Sequence, residues 1–304
     1  MRTTKVPILI FLLTSLAVSP CLSEETTSSG LAFLRIGVGA RASGMGEAFV
    51  AVSDDASATY WNPAGLSQVE STEIMFVNNS FIQDISQDYV AVVTSFGDLK
   101  LGGAFNYVNM GILEKRDETG AFIDEFKPFD LAASFSAAYP VLDWVSVGGT
   151  VKGVMEDIDT ETAYGALFDV GAIAQLPYEG LSVGVVVQNL GPTIKFIEVP
   201  FDAPRTFRGG VSYARKLTSL SSRMGLAVDL VSSLDDDVQF NIGGEWNYNA
   251  FISGRVGYRG AADTQGITTG FGVHYQGFIV DYAYVPFSEH LGSTHRIGVS
   301  YRFK

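Results

Sequence analysis

The sequence predicts an all-β protein, a transmembrane antiparallel barrel of about fourteen strands over residues 72–304 with an N-terminal lumen hatch over residues 24–71. Three observations carry that reading. The chain is 47% hydrophobic but only 17% charged, well under the roughly 25% charge of soluble domains. After the first residues, no apolar stretch is long enough for a membrane helix. A chain that crosses lipid without helices must close a barrel, because only closure satisfies every strand's backbone groups there. The third observation is alternation: Val238, Phe240, Ile242, Gly244, Trp246 and Tyr248 interleave with Gln239, Asn241, Gly243, Glu245 and Asn247. That is the period expected of a strand with lipid on one face and water on the other.

The leader comes first. Arg2 and Lys5 precede the apolar run Val6 to Val18, which suits a signal peptide and is short for a spanning helix. Small residues near the cut place cleavage after Ser23, so residues 1–23 are read as signal peptide. Cys21, the only cysteine, leaves with it, and Pro20 stands where a lipidation motif wants a small residue. The remaining chain has no thiol for disulfides or metal. Losing Arg2 and Lys5 also makes the net charge of −13 more negative, which excludes a nucleic-acid partner.

Residues Gly30 to Leu66 lack alternation and are rich in small residues. They read as a compact non-strand element with a short glycine-rich helix, leaving through turns at Asn62-Pro63 and Ala64-Gly65. Small residues let backbones approach closely, so such an element fits inside a barrel. One motif here competes: Gly37-Val38-Gly39-Ala40-Arg41-Ala42 fits a loose dinucleotide fingerprint after strand-like Leu31 to Ile36. A dinucleotide fold needs alternating strands and helices, and nothing after Thr72 has helical period. No cofactor is expected.

From there the strands begin near Thr72, Gln87, Leu99, Asp130, Val145, Ala163, Leu181, Thr206, Ser222, Val238, Phe251, Gly266, Phe278 and Thr294. Most run about eight to eleven residues, the length of tilted membrane strands. Short turns (Gly97-Asp98, Pro140 to Asp143, Gln276-Gly277 among them) alternate with longer loops (Asn109 to Phe129, Asn189 to Arg205, Pro286 to Ser293). This is the rhythm of periplasmic turns and extracellular loops. It places the protein in the outer membrane of a didermic bacterium, with outer-membrane lipid around it.

Alternation directs Lys100, Lys152, Asp169, Arg208, Asp229, Glu245, Arg255, Asp281, Arg296 and Arg302 inward. Buried charges must be paired, so these predict a luminal ion network, with Arg41 and Glu47 as its partners in the N-terminal segment. Catalytic signals are thin. Three histidines (His274 facing inward, His290 and His295 sharing a loop with Glu289) stand without a nucleophile motif or zinc motif, and the chain is read as not an enzyme. Asp235, Asp236 and Asp237 read as a solvated loop tip rather than a metal site.

The run Gly37-Val38-Gly39-Ala40-Arg41, Gly44-Met45-Gly46-Glu47-Ala48, Asp54-Asp55-Ala56 and Asn62-Pro63-Ala64-Gly65-Leu66 resembles the start of the PorV/PorQ family, itself similar to the FadL family of outer-membrane transporters. The resemblance implies a fourteen-stranded barrel plugged by its N-terminal segment, with Gly37 to Gly46 as hinge. Two functions follow from it. Similarity to FadL implies a gated conduit for hydrophobic small molecules; similarity to PorV and PorQ implies a type IX secretion subunit that receives or presents exported proteins. The conduit is the preferred expectation.

Overall fold

The computed structural model describes residues 30–303 apart from 82–83, 197–198, 234–236, 262–265 and 289–291. The expected leader, Asp235, Asp236, Glu289 and His290 lie outside the described residues. Eighteen strands occur in chain order among them: β1 (Glu73–Ser80), β2 (Ser86–Phe96), β3 (Leu99–Asn109), β4 (Leu113–Arg116), β5 (Phe122–Phe126), β6 (Phe129–Leu142), β7 (Val145–Ile158), β8 (Glu161–Gln175), β9 (Leu181–Leu190), β10 (Ile194–Phe196), β11 (Val199–Phe201), β12 (Thr206–Leu217), β13 (Ser222–Ser233), β14 (Gln239–Tyr248), β15 (Ile252–Gly260), β16 (Ile267–Tyr275), β17 (Phe278–Pro286) and β18 (Ser293–Arg302).

Fourteen of them close into one antiparallel barrel, in which each strand pairs with its neighbours along the chain and β1 meets β18. The seam is regular, with Ile74 opposite Tyr301 and Glu73 opposite Arg302. Every wall strand begins within two residues of its expected start. The remaining four form two hairpins, β4–β5 and β10–β11, inside what the sequence reads as long loops. Outside the bilayer no lipid-and-water alternation marks a strand, so these left no periodic signal. Strands β6, β7 and β8 also run longer than expected, at 14, 14 and 15 residues.

The faces separate as the pleat requires. On β14, Asn241 and Glu245 are 1% and 8% exposed, while Ile242 and Trp246 are 44% and 45% exposed. The same outward face carries Phe105, Phe135, Val151, Leu226 and Phe271 on other strands. Leaving large apolar side chains in water forfeits about 1.5–3 kcal/mol each, so this exterior belongs in lipid. No described helix is long and apolar enough to cross a membrane; the strands do the crossing.

Candidate functional site: the filled lumen

Residues 30–69 hold only short helices: 3-10 turns at Ala32–Arg35 and Pro63–Gln68, α1 (Ala40–Gly44) and α2 (Ala58–Trp61). Leu31 to Ile36 is therefore not the strand that its apolar run suggests, and the glycine motif that follows leads into a five-residue helix. The expected exit turn is likewise a 3-10 helix, with Pro63 at its start and the Asn62 side chain accepting from the Ala64 N–H at 3.2 Å.

This segment meets the wall on every side. A Cβ on Gly44 would lie 3.1 Å from the Gly270 Cα on β16. Gly46, at φ +63°, leaves room for a Cβ only 2.6 Å from the Tyr258 N on β15. Wall glycines answer from around the barrel: Gly243 faces Met45, Gly257 faces Gly46, Gly184 faces Val50 and Ala51, and Gly148 faces Pro63 and Ala64. Gly102 and Gly171 approach Thr59 and Asn62. Contacts to β3, β7, β8, β9, β14, β15 and β16 at once put residues 44–66 within the barrel, and close backbone approach is the reason for glycine on both sides.

Polar anchors complete the fit. Arg41 pairs with Asp54, with Asp55 at 3.0 Å and, bidentately, with Glu245 on β14 at 2.8 and 3.0 Å. Glu245 also accepts from Arg255, which reaches Asp281 at 2.7 Å. A second centre is Glu47, 3.2 Å from Arg259 and 3.6 Å from Arg296. Arg296 donates to the Gly37 carbonyl at 2.7 Å and to the Ser43 hydroxyl. Burial by itself would raise the Glu47 carboxyl, but Arg259, Arg296 and Arg208 outweigh it and hold it below its ordinary value.

Backbone groups are anchored as well. Asp229 accepts the Phe49 and Val50 N–H groups at 2.7 and 2.9 Å, and Glu73, paired with Arg302, accepts from Ala56. Asn62 donates to the Val50 carbonyl, and Gly39, at φ +86°, opens α1 with its carbonyl accepting from Ser43. Gly65 abuts Ser53, where any side chain would collide. Arg208 lies over the Trp61 ring at 5.1 Å and donates to Gln188. Burial pushes the Tyr60 hydroxyl up to about 12, so it stays a donor to the Leu34 carbonyl. Lys100 donates to the Val69 carbonyl; Lys152 pairs instead with Asp169 and Asn189 on the wall.

The sequence reading missed Arg259 and Glu73. Both follow from period two, since Arg259 shares a face with Arg255, and Glu73 with Met75 and Val77. The backbone N–H bonds to Asp229 have no sequence signal at all. His274 does face inward, 3.2 Å from the Ser253 hydroxyl. His295 is not in a loop: it sits on β18 and points outward, against Tyr282 and Tyr284. Among the described residues no group of three or more His, Cys, Asp or Glu could hold a metal.

What remains open is uneven. Two cavities of about 590 and 580 Å³ lie toward the short turns, and both are lined by Arg41, Asp54 and Glu245. Toward the long loops, Leu31, Phe33 and Leu34 pack with Val108, Leu167, Ile194 and Phe201 into a buried apolar cluster. A charged vestibule thus underlies the segment and an apolar seal overlies it.

A model described as an uncharacterised protein family (UPF0164) matches residues 23–165. No curated protein matches the sequence. Among solved structures, the Ralstonia pickettii toluene transporter TbuX aligns with TM-score 0.61 at 16% identity, over 88% of this chain and 99% of that one. The CymD monoaromatic hydrocarbon channel aligns with TM-score 0.63 at 17% identity, over 91% and 99%. A Pseudomonas aeruginosa FadL homologue follows at 0.52 and 11%, over 86% and 98%. At these identities the likeness establishes a shared fold, that of FadL-type outer-membrane barrels. The PorV/PorQ resemblance and its exported-protein partners find no counterpart among these matches.

Proposed function

We propose that the chain is an outer-membrane conduit for hydrophobic small molecules, gated by its N-terminal segment. One observation carries the reading: the segment fills the barrel at mid-height, yet is held by discrete ionic and backbone anchors rather than by the wall's own ladder. The wall is complete without it. The buried apolar cluster on the loop side is what a hydrophobic solute entering from outside has to part, and its side chains suit such a solute. The vestibule beyond is charged, so such a solute is weakly held there and leaves toward the periplasm. The structural likeness to TbuX, a toluene transporter, and CymD, a monoaromatic hydrocarbon channel, supports the same cargo class.

Uptake of a labelled monoaromatic hydrocarbon by intact cells with a lipopolysaccharide outer leaflet tests the cargo. Cells carrying this barrel should take it up faster than cells without it, and Leu34→Glu, which places a charge in the apolar cluster, should cancel the gain. Equal uptake with and without the barrel would contradict the proposal.

A further inference from the structure

Away from the anchors already described, two carboxylates face each other near the loop side. Asp130 on β6 lies directly opposite Glu156 on β7, and both point inward, on the face that carries Thr150, Lys152 and Val154. Asp130 is 1% exposed, and its Oδ1 has no hydrogen-bond partner among the described residues. Glu156 accepts the N–H of Leu31, at 3.4 Å, where the segment enters the apolar cluster.

Among the described residues, no cation is paired with either carboxylate. Val108 lies opposite Asp130 on β3, and Ala163 lies opposite Glu156 on β8. From the segment comes the Leu31 backbone. Lys152 is paired with Asp169 and Lys115 with Asp159, and Lys127, three residues before Asp130, is exposed. Arg35 has partners of its own, and no cation is among the groups acting on either carboxyl. Asp157, the next carboxylate along β7, accepts from Thr162. Asp130 is buried and Glu156 partly so, and like charges facing each other there disfavour ionisation of both at once. A metal ion would resolve the conflict only with further oxygen ligands, whereas the group directed at Glu156 is an N–H donor. A proton needs nothing more than the pair.

We propose that Asp130 and Glu156 share one proton and form a pH-sensitive latch on the loop-side end of the N-terminal segment. With the proton in place, the pair carries a single charge and Glu156 holds the Leu31 N–H. When the proton is lost, the two carboxylates repel, water enters, and the Leu31 end undocks. The docked state holds a proton that the undocked state gives up, so docking weakens as pH rises. The latch concerns docking alone and stands whether or not the lumen conducts.

Hydrogen exchange of the Leu34 and Ile36 amides, measured on the full barrel in detergent and corrected for intrinsic rates, tests it. Both amides are bonded inside this turn. Their protection should fall about tenfold between about pH 6 and about pH 9 in the wild type, and stay flat in Asp130→Asn and Glu156→Gln, which carry at most one charge. A flat wild-type profile, or one that the substitutions leave unchanged, would overturn the latch. Should either variant fail to fold, infrared spectra of the wild type decide: a protonated-carboxyl band present at about pH 6 and gone by about pH 9 supports the shared proton, and no such band at either pH overturns it.

Discussion

Arg41 joins the segment to the wall at one guanidinium, with Asp54 and Asp55 on its own chain stretch and Glu245 across the lumen. Removing one partner of a buried ionic cluster strands the others, at a cost of about 3–5 kcal/mol. Arg41→Ala should therefore leave a heat-modifiable barrel whose segment is cut by protease. A segment as resistant as the wild type's would show that Arg41 is not an anchor. Gly46→Ala should act in the same direction by another cause, since φ +63° strains an alanine and its Cβ would crowd the Tyr258 N. Glu47 sets the acid limit. Its folded-state value is depressed, so its contribution to docking is complete above the ordinary carboxylate value of about 4.3 and is lost as pH falls below it. Protease resistance of the segment should hold down to about pH 4 and then drop. Many of these residues were legible because strand parity turns sequence position into direction. Their mates were not, since which of several inward arginines meets Glu47 depends on how the segment winds between them.

At the scale of elements, the wall strands announce themselves and the connections do not. The residues of β14 alternate because one face meets lipid, and that physical contrast placed its start within one residue; in β4–β5, Leu113 and Phe122 are exposed alongside Glu114 and Lys115, so no period distinguishes the hairpin from loop. His295 was misplaced for a related reason. Its strand begins at Ser293, near the membrane boundary, where an aromatic collar of Tyr282 and Tyr284 receives it and polar and apolar residues mix. The closing strand gives the clearest test at this scale. β18 pairs with both β17 and β1, and its last turn-side residues, Tyr301 and Arg302, face Ile74 and Glu73. Deleting Tyr301 to Lys304 cuts the seam short and leaves an open edge in lipid, where unpaired backbone groups cost several kcal/mol each. No heat-modifiable band should form. Normal assembly of the truncated chain would show that closure does not depend on that end of the seam.

For the whole molecule, wall and filling are distinct in how they are held. The wall is a continuous hydrogen-bonded ladder, whereas the segment rests on side-chain anchors and glycine contacts, with cavities of about 590 and 580 Å³ beneath it. A barrel of this kind can keep its shape while its interior rearranges, which gating requires. The pH limits follow from the same division: acid unties Glu47 from its arginines, and alkali unlatches the Leu31 end. The central claim, that residues 30–69 are what closes the lumen, is tested most directly by deleting Ala32 to Asp55 and measuring the entry of small polar solutes into liposomes, with heat-modifiability followed on the same preparation. The expected result is a folded barrel through which solutes pass several times faster than through the wild type; a folded barrel with unchanged flux would contradict the account.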